Sequence, residues 1–155
     1  MAAAIAVALV ASIGGPQAPP GSPVHLPSVL AGQPLISSVR GADALDQVAR
    51  LHGKSIDITD ALVGQYRGGI TLWISVSESA LKASSLLWAM NRRMAGGTAT
   101  FSAPRPAQRH ERTVFLTQGI GLEHVYFQRG AHVVWLAAPA GTVERALDDL
   151  LTEHQ

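Results

Sequence analysis

Residues 119–136, GIGLEHVYFQRGAHVVWL, restrict the possible folds more than any other stretch of this chain. Apolar and polar side chains alternate on both sides of a tight turn at Arg129-Gly130, which predicts two antiparallel strands joined as a hairpin. The hairpin also carries the densest mixture of polar and aromatic side chains in the sequence: Glu123, His124, Tyr126, Gln128, Arg129 and His132. We therefore expect part of any functional site to lie on this hairpin.

More strands and three helices are predicted around it. Alternation of apolar and polar residues predicts strands over residues 56–59, 61–66, Ile70–Val76, 98–101 and 113–117. Apolar residues at helical spacing predict helices over residues 39–53, Ala80–Met94 and 142–151, and residues 102–112 are predicted to form a polar loop. The predicted order is α-β-β-β-α-(β)-β-β-β-α. Because strands joined by tight turns pair antiparallel, the predicted class is α+β, a mainly antiparallel sheet with three helices on one face.

The first 13 residues, MAAAIAVALVASI, are apolar throughout. As a helix they would be about 20 Å long, which is less than the ~30 Å of a bilayer core and matches the apolar region of a signal peptide. No Lys or Arg precedes Arg40, so the basic region of a signal peptide is missing. We interpret residues 1–15 as a signal peptide whose start lies upstream, or as the last part of a membrane anchor. An Ala-rich tail or a buried helix is the alternative.

Residues 16–34 contain six prolines, which is typical of an extended spacer. Residues 35–155 are then expected to form a single α+β domain. An apolar segment, a spacer and one folded domain is a layout of exported proteins that stay at a membrane. We expect an extracytoplasmic location, in the periplasm or at the cell surface, with the membrane contacted through the N-terminal segment.

The charge balance and the absence of cysteine exclude several classes of function. Twelve basic residues stand against eleven acidic ones, and Arg92-Arg93 is the only adjacent basic pair. No overall field therefore attracts nucleic acid or an anionic membrane, and nucleic-acid binding is not expected. The lack of cysteine excludes disulfides, thiolate metal sites and cysteine nucleophiles.

The six histidines raise the possibility of a metal or haem site. With a two-residue turn, His124 and His132 fall on opposite faces of the hairpin, and with a three-residue turn they lie roughly 13 Å apart along it. No HxH or HExxH spacing occurs, and no GxSxG, complete dinucleotide or phosphate-loop pattern is present. We therefore predict no catalytic residues, no metal ligands and no cofactor.

A scattered set of positions carries a resemblance to known proteins: Leu51-His52-Gly53-Lys54, Tyr66, Leu72-Trp73, Met90 and the hairpin of residues 119–135. In this pattern, which extends over residues 35–151, the chain loosely resembles small bacterial extracytoplasmic proteins that have no assigned activity. The resemblance implies a single exported domain and adds no chemistry.

One surface is the best candidate for binding. Its predicted residues are Tyr66, Trp73, His124, Tyr126, Gln128 and Trp135, whose side chains could share a sheet face and hold a planar or apolar ligand or a partner protein. The alternative is that these aromatic residues form a second layer of core. The predicted function is an exported or membrane-tethered accessory or binding domain with an unknown protein or small-molecule partner. The alternatives are a histidine-dependent metal or haem protein, or a small subunit of a membrane complex.

Overall fold

Apolar residues at every second position form the strands of a sheet in this chain, and apolar residues three or four positions apart form the helices that cover it. The computed structural model describes residues 24–52 and 56–152. Within them the strands are β1 (Val29–Leu30), β2 (Gln33–Arg40), β3 (Asp60–Tyr66), β4 (Ile70–Val76), β5 (Arg105–Arg109), β6 (Arg112–Gly119), β7 (Leu122–Arg129) and β8 (His132–Ala138). The helices are α1 (Ala42–His52), α2 (Ala80–Met94) and α3 (Val143–Thr152).

The strands form one antiparallel sheet of eight, in the order β1-β2-β3-β4-β8-β7-β6-β5. Strands β2 to β4 follow one another from one edge to the centre. After β4, the chain passes through α2 to the opposite edge, and β5 to β8 return to the centre, where β8 pairs with β4. The predicted α+β class and the order of helices among the strands are confirmed.

The helices lie on both faces of the sheet. On one, the α3 face, Leu147 of α3 packs with Leu72, Phe127 and Leu136 of the strands. On the other, the α1/α2 face, α1 covers β2 and β3, and α2 covers β7 and β8. The structure thus differs from the predicted placement of all three helices on one face. The reason is that central strands such as β7 are buried on both sides and need cover on each.

Two strands form where the sequence pattern is weak. Strand β2 is not predicted by the sequence pattern, because it is largely exposed and has few apolar positions, and beyond Pro34 it has a neighbouring strand on one side only. Strand β5 lies in the predicted polar loop and contains Pro106 and two arginines, which are tolerated there because β5 is the opposite edge. Residues 56–59, predicted as a strand, form none, and residues 98–101 contribute only a single bridge from Phe101 to Gly119.

Part of the predicted spacer belongs to the folded domain. Residues 24–34 include β1 and the start of β2, and Leu30 is fully buried in the core. Tyr66 donates a hydrogen bond from its hydroxyl to the carbonyl oxygen of Pro27 at 2.9 Å. The folded domain therefore starts before residue 35. The predicted signal peptide or anchor, residues 1–15, and the spacer up to residue 23 lie outside the described residues.

None of the helices in the two described ranges has the length and apolar character needed to cross a membrane.

The β7–β8 hairpin turns one residue later than predicted. Arg129 pairs with His132, so Gly130 and Ala131 form the two-residue turn. Gly130 adopts a φ of 55°, a conformation that favours glycine at the first central position of such turns. His124 and His132 consequently lie on opposite faces of the sheet, as predicted for a two-residue turn.

Candidate functional site

Four aromatic side chains form a continuous row across the α1/α2 face. Trp73 of β4 is paired with Trp135 of β8, which is paired with Tyr126 of β7, and Tyr126 is paired with Phe115 of β6. The rings of Trp135 and Tyr126 stack with centroids 4.7 Å apart, and those of Tyr126 and Phe115 with centroids 5.4 Å apart. We call these four residues the aromatic row.

The aromatic row is largely covered by the two helices. Tyr126 is fully buried, and its hydroxyl donates a hydrogen bond to Oδ1 of Asn91 in α2 at 2.7 Å. Burial raises the pKa of Tyr126 to about 12, so its hydroxyl stays protonated. Trp73 is half-buried and packs against the small core that includes Val48 of α1. Phe115 and Trp135 are half-buried as well, so the row forms a partial second layer of core around Tyr126 between sheet and helices.

His124 lies two residues before Tyr126 in β7, on the same face, and both of its ring nitrogens form hydrogen bonds. Trp135 donates from Nε1 to Nδ1 of His124 at 3.0 Å, and His124 donates from Nε2 to the carbonyl oxygen of Gly119 at 3.0 Å. Phe101 contacts the imidazole edge-on, with ring centroids 5.1 Å apart. A neutral imidazole with its proton on Nε2 satisfies both hydrogen bonds.

The electrostatic environment keeps His124 neutral. Burial lowers the pKa of His124 from its ordinary value of 6.5, and the hydrogen bond to Gly119 opposes this only in part. A protonated ring would carry a hydrogen on Nδ1, where it would face the indole N–H of Trp135. Proton exchange at this residue therefore requires a local rearrangement, which makes His124 a poor acid-base group and a poor metal ligand.

The other two predicted site residues have internal roles. Gln128 lies on the α1/α2 face and donates from Nε2 to the carbonyl oxygens of Ala80 and Gly130, at 2.8 and 2.9 Å. It thereby fixes the start of α2 to the hairpin turn. Tyr66 lies on the opposite, α3 face, because it pairs with Ile70 across the turn between β3 and β4. The structure thus brings five of the six predicted residues to one face and separates Tyr66 from them.

Three further residues belong to this cluster and are not among the residues that the sequence predicts for it. Phe115 pairs with Tyr126, Phe101 reaches the cluster from the loop after α2, and Asn91 comes from α2 itself. Phe115 stands in a predicted strand, and only the strand register could have placed it beside Tyr126. No sequence signal indicates that Asn91 would face Tyr126.

The remaining polar groups of the hairpin are dispersed. His132 lies on the α3 face beside Arg129, and its pKa is lowered by burial and by that guanidinium. Glu123 accepts a hydrogen bond from the backbone N–H of Gly141 at 3.2 Å. Among the described residues, no three side chains of the His, Asp, Glu and Cys types come together as a potential metal site.

A cavity of about 350 Å³ lies between the ends of β6 and β7 and the start of α3. Its charged lining residues are Arg105, Glu123 and Glu144. Arg109 binds Glu144 through two hydrogen bonds of 2.9 and 3.0 Å, and Gly141 engages Glu123. Both carboxylates thus have structural partners, and the lining is of mixed charge.

The outer side of α2 presents a different kind of surface. Trp88 is 60% exposed and Leu81 is 77% exposed, although both are large apolar residues. The guanidinium of Arg92 lies 4.6 Å from the centre of the Trp88 ring, and Arg93 lines the same shallow depression. We call Leu81, Trp88, Arg92 and Arg93 the α2 patch. The sequence contained a signal for it, because Trp88 falls outside the apolar stripe that predicts this helix, which consists of Ala83, Leu87, Met90 and Met94 with Ala80 and Leu86.

Comparisons of the chain with protein families, curated proteins and solved structures found no match.

Proposed function

We propose that this chain is an exported, membrane-tethered domain that binds a partner and does not act as an enzyme. The observation that carries the binding role is Trp88. The fold does not bury this side chain, and the Arg92 guanidinium holds its ring in place on a helix that is anchored to the sheet. Exposed Trp and Arg side chains are typical of contact surfaces, because an indole supplies a large apolar area and a guanidinium supplies charge-assisted hydrogen bonds.

The non-enzymatic role is supported by the engagement of the groups on the β7–β8 hairpin. His124, Tyr126 and Gln128 each use their polar atoms in hydrogen bonds that connect strands, loops and α2. A catalytic acid or base has to exchange protons with a substrate, whereas these atoms are already committed to protein partners. The same hydrogen bonds of His124 weaken the histidine-dependent metal or haem alternative.

The tethered location is supported by the apolar residues 1–13 and the proline-rich residues that follow them. The folded domain includes residue 24, so at most ten residues, 14–23, separate it from the apolar segment. This layout suits a domain that works close to a bilayer.

Cell fractionation of the full chain tests the location. We expect the protein in the membrane fraction, resistant to high salt and released by detergent, and accessible to protease added outside the cytoplasmic membrane. A variant that lacks residues 1–13 should lose this association. A fully cytosolic, soluble full-length product would contradict the proposal.

Titration with zinc, copper and haem tests the non-enzymatic reading against the histidine alternative. We expect no change in absorbance and no rise in melting temperature for any of the three. A stoichiometric rise that is abolished by His124→Gln would contradict the proposed function.

A further inference from the structure

We infer that the α2 patch docks on a lipid surface that carries anionic headgroups, so that the domain lies with the outer side of α2 against the bilayer. This inference rests on the proposed tethering. The inference adds to the tethering the side of the domain that faces the bilayer and the charge of the lipid headgroups.

The charge of α2 favours an anionic partner. The helix contains Lys82, Arg92 and Arg93 and has no acidic residue. Lys82 forms an ion pair with Asp57 at 2.9 Å, whereas Arg92 and Arg93 form no ion pair among the described residues. The two arginines therefore make a local cationic site that the balanced charge of the whole chain conceals. Each cation next to an anionic leaflet strengthens binding roughly five-fold.

The apolar members of the α2 patch fit the headgroup region of a membrane. An indole beside arginines is common at this depth, because the ring is apolar while its N–H and the guanidinium can contact headgroups. Leu81 lies seven residues before Trp88, which corresponds to about 10 Å along the same side of the helix. The convex outer side of a helix can enter a soft lipid interface without a matching groove.

Two other occupants fit less well. A second copy of the chain would place the arginines of two α2 patches near each other, and this repulsion disfavours a symmetric pair. An acidic segment of another protein would satisfy the charges. The lipid surface is favoured by distance, because the ten residues 14–23 can span at most about 35 Å. A tethered domain therefore meets the bilayer at a high effective concentration.

Fluorescence quenching in vesicles tests the orientation. The full chain is bound to vesicles of phosphatidylcholine, with or without phosphatidylglycerol, that contain brominated phosphatidylcholine as the quencher. The signal of Trp88 is the difference between the native chain and Trp88→Phe, since Trp73 and Trp135 remain in both. We expect quenching of Trp88 in the anionic vesicles and clearly less in neutral vesicles or at high salt.

Charge variants provide the matched comparison. Replacing both Arg92 and Arg93 by Gln should lower the ratio of docked to undocked protein roughly 20- to 30-fold. The control variant Arg67→Gln/Arg105→Gln removes two exposed charges elsewhere and should behave like the native chain. Flotation of the same samples at high salt reports the tether separately, because insertion of an apolar segment does not depend on salt.

Three results would overturn the docking inference. One is an unquenched Trp88 in anionic vesicles to which the chain is firmly attached, which would leave the tether intact. Another is quenching that persists in the Arg92/Arg93 variant or is equal in neutral vesicles. The last is a Trp88 that poly-glutamate shields from a water-soluble fluorescence quencher while anionic vesicles do not. This result would assign the patch to an acidic protein. A chain that fails to float with any vesicle at high salt would instead contradict the tether.

Discussion

His124 has the chemistry of a catalytic residue, but its hydrogen bonds place it in the core. Because the fold lowers its pKa below the ordinary 6.5, folding favours the neutral ring. The stability that this provides is complete above about pH 6.5 and is lost as the pH falls through the folded-state pKa. His132 acts in the same direction, since its pKa is lowered as well.

We therefore predict that the free energy of unfolding is nearly constant from about pH 8 to 7 and decreases as the pH falls below about 6.5. In His124→Gln the decrease should be shallower, and the remaining slope should come from His132. Urea denaturation at a series of pH values measures this. An identical slope in the native chain and in the variant would show that His124 is not held neutral.

Gly119 allows the loop after α2 to close over His124. A Cβ atom at this position would clash with the Phe101 ring and would lie 2.5 Å from the carbonyl oxygen of Thr100. We predict that Gly119→Ala lowers the free energy of unfolding by about 1–3 kcal/mol, because the loop must move. Gly96→Ala is the control, since nothing lies within 4 Å of its Cβ position, and it should have little effect. Equal melting temperatures for the two variants would contradict the close packing.

Ile120, in the turn between β6 and β7, combines two unfavourable features. It is 74% exposed and has a φ of 54°, which is strained for a β-branched residue. Asparagine is preferred at such positions, so Ile120→Asn should raise the free energy of unfolding by about 1 kcal/mol. Thermal denaturation measures the change. A lower melting temperature would mean that Ile120 makes a stabilising contact.

At the level of elements, α3 is joined to its neighbours by contacts of unequal strength. Asp149 accepts a partly buried hydrogen bond from the backbone N–H of Ala31 at 2.7 Å. Asp148 forms an exposed hydrogen bond with the His110 ring at 3.1 Å. Exposed pairs stabilise little, whereas a charged acceptor for a buried N–H contributes more. The Asp149 contact is therefore expected to hold the chain before β2 against α3.

This pair of adjacent residues offers a matched test. Asp149→Ala should lower the free energy of unfolding by about 1.5–3 kcal/mol. Asp148→Ala removes the same charge from nearly the same place relative to the helix dipole, and it should lower the free energy of unfolding by less than about 1 kcal/mol. Urea denaturation of both variants decides the point. Equal effects would show that α3 is held mainly by its apolar side.

The elements that could be predicted from sequence are those with strong local periodicity. Strand β4 and helix α2 have the predicted bounds, because Ile70–Val76 alternates strictly and α2 has a buried stripe. Strands β2 and β5 could not be predicted in this way, since strands at or next to an edge of the sheet bury few side chains. The predicted grouping of Tyr66 with the other aromatic residues is wrong. The three-residue turn between β3 and β4 pairs Tyr66 with Ile70, and this pairing puts Tyr66 on the α3 face.

At the scale of the whole molecule, the sheet determines which aromatic residues are structural. The aromatic row exists because β4, which is distant in sequence, aligns in register with β8, the last of the consecutive strands β6, β7 and β8, and no local pattern encodes the pairing of β4 with β8. Sequence alternation correctly put Trp73, His124, Tyr126, Gln128 and Trp135 on one face. It could not show that α1 and α2 cover this face. The aromatic residue that is largely exposed is instead Trp88, on the side of α2 that faces away from the sheet.

Trp135 is half-buried and held by the Tyr126 stack and the His124 hydrogen bond, and we therefore expect it to stabilise the fold, whereas Trp88 is free for contact. The free energies of unfolding of Trp135→Ala and Trp88→Ala, measured with urea under the same conditions, test this central claim most directly. Trp135→Ala should lower the value by about 3 kcal/mol or more, because it removes the stack on Tyr126 and the hydrogen bond to His124. Trp88→Ala should lower it by less than about 1 kcal/mol, the contribution of an exposed cation–π contact. Equal losses, or a larger loss for Trp88, would contradict the claim.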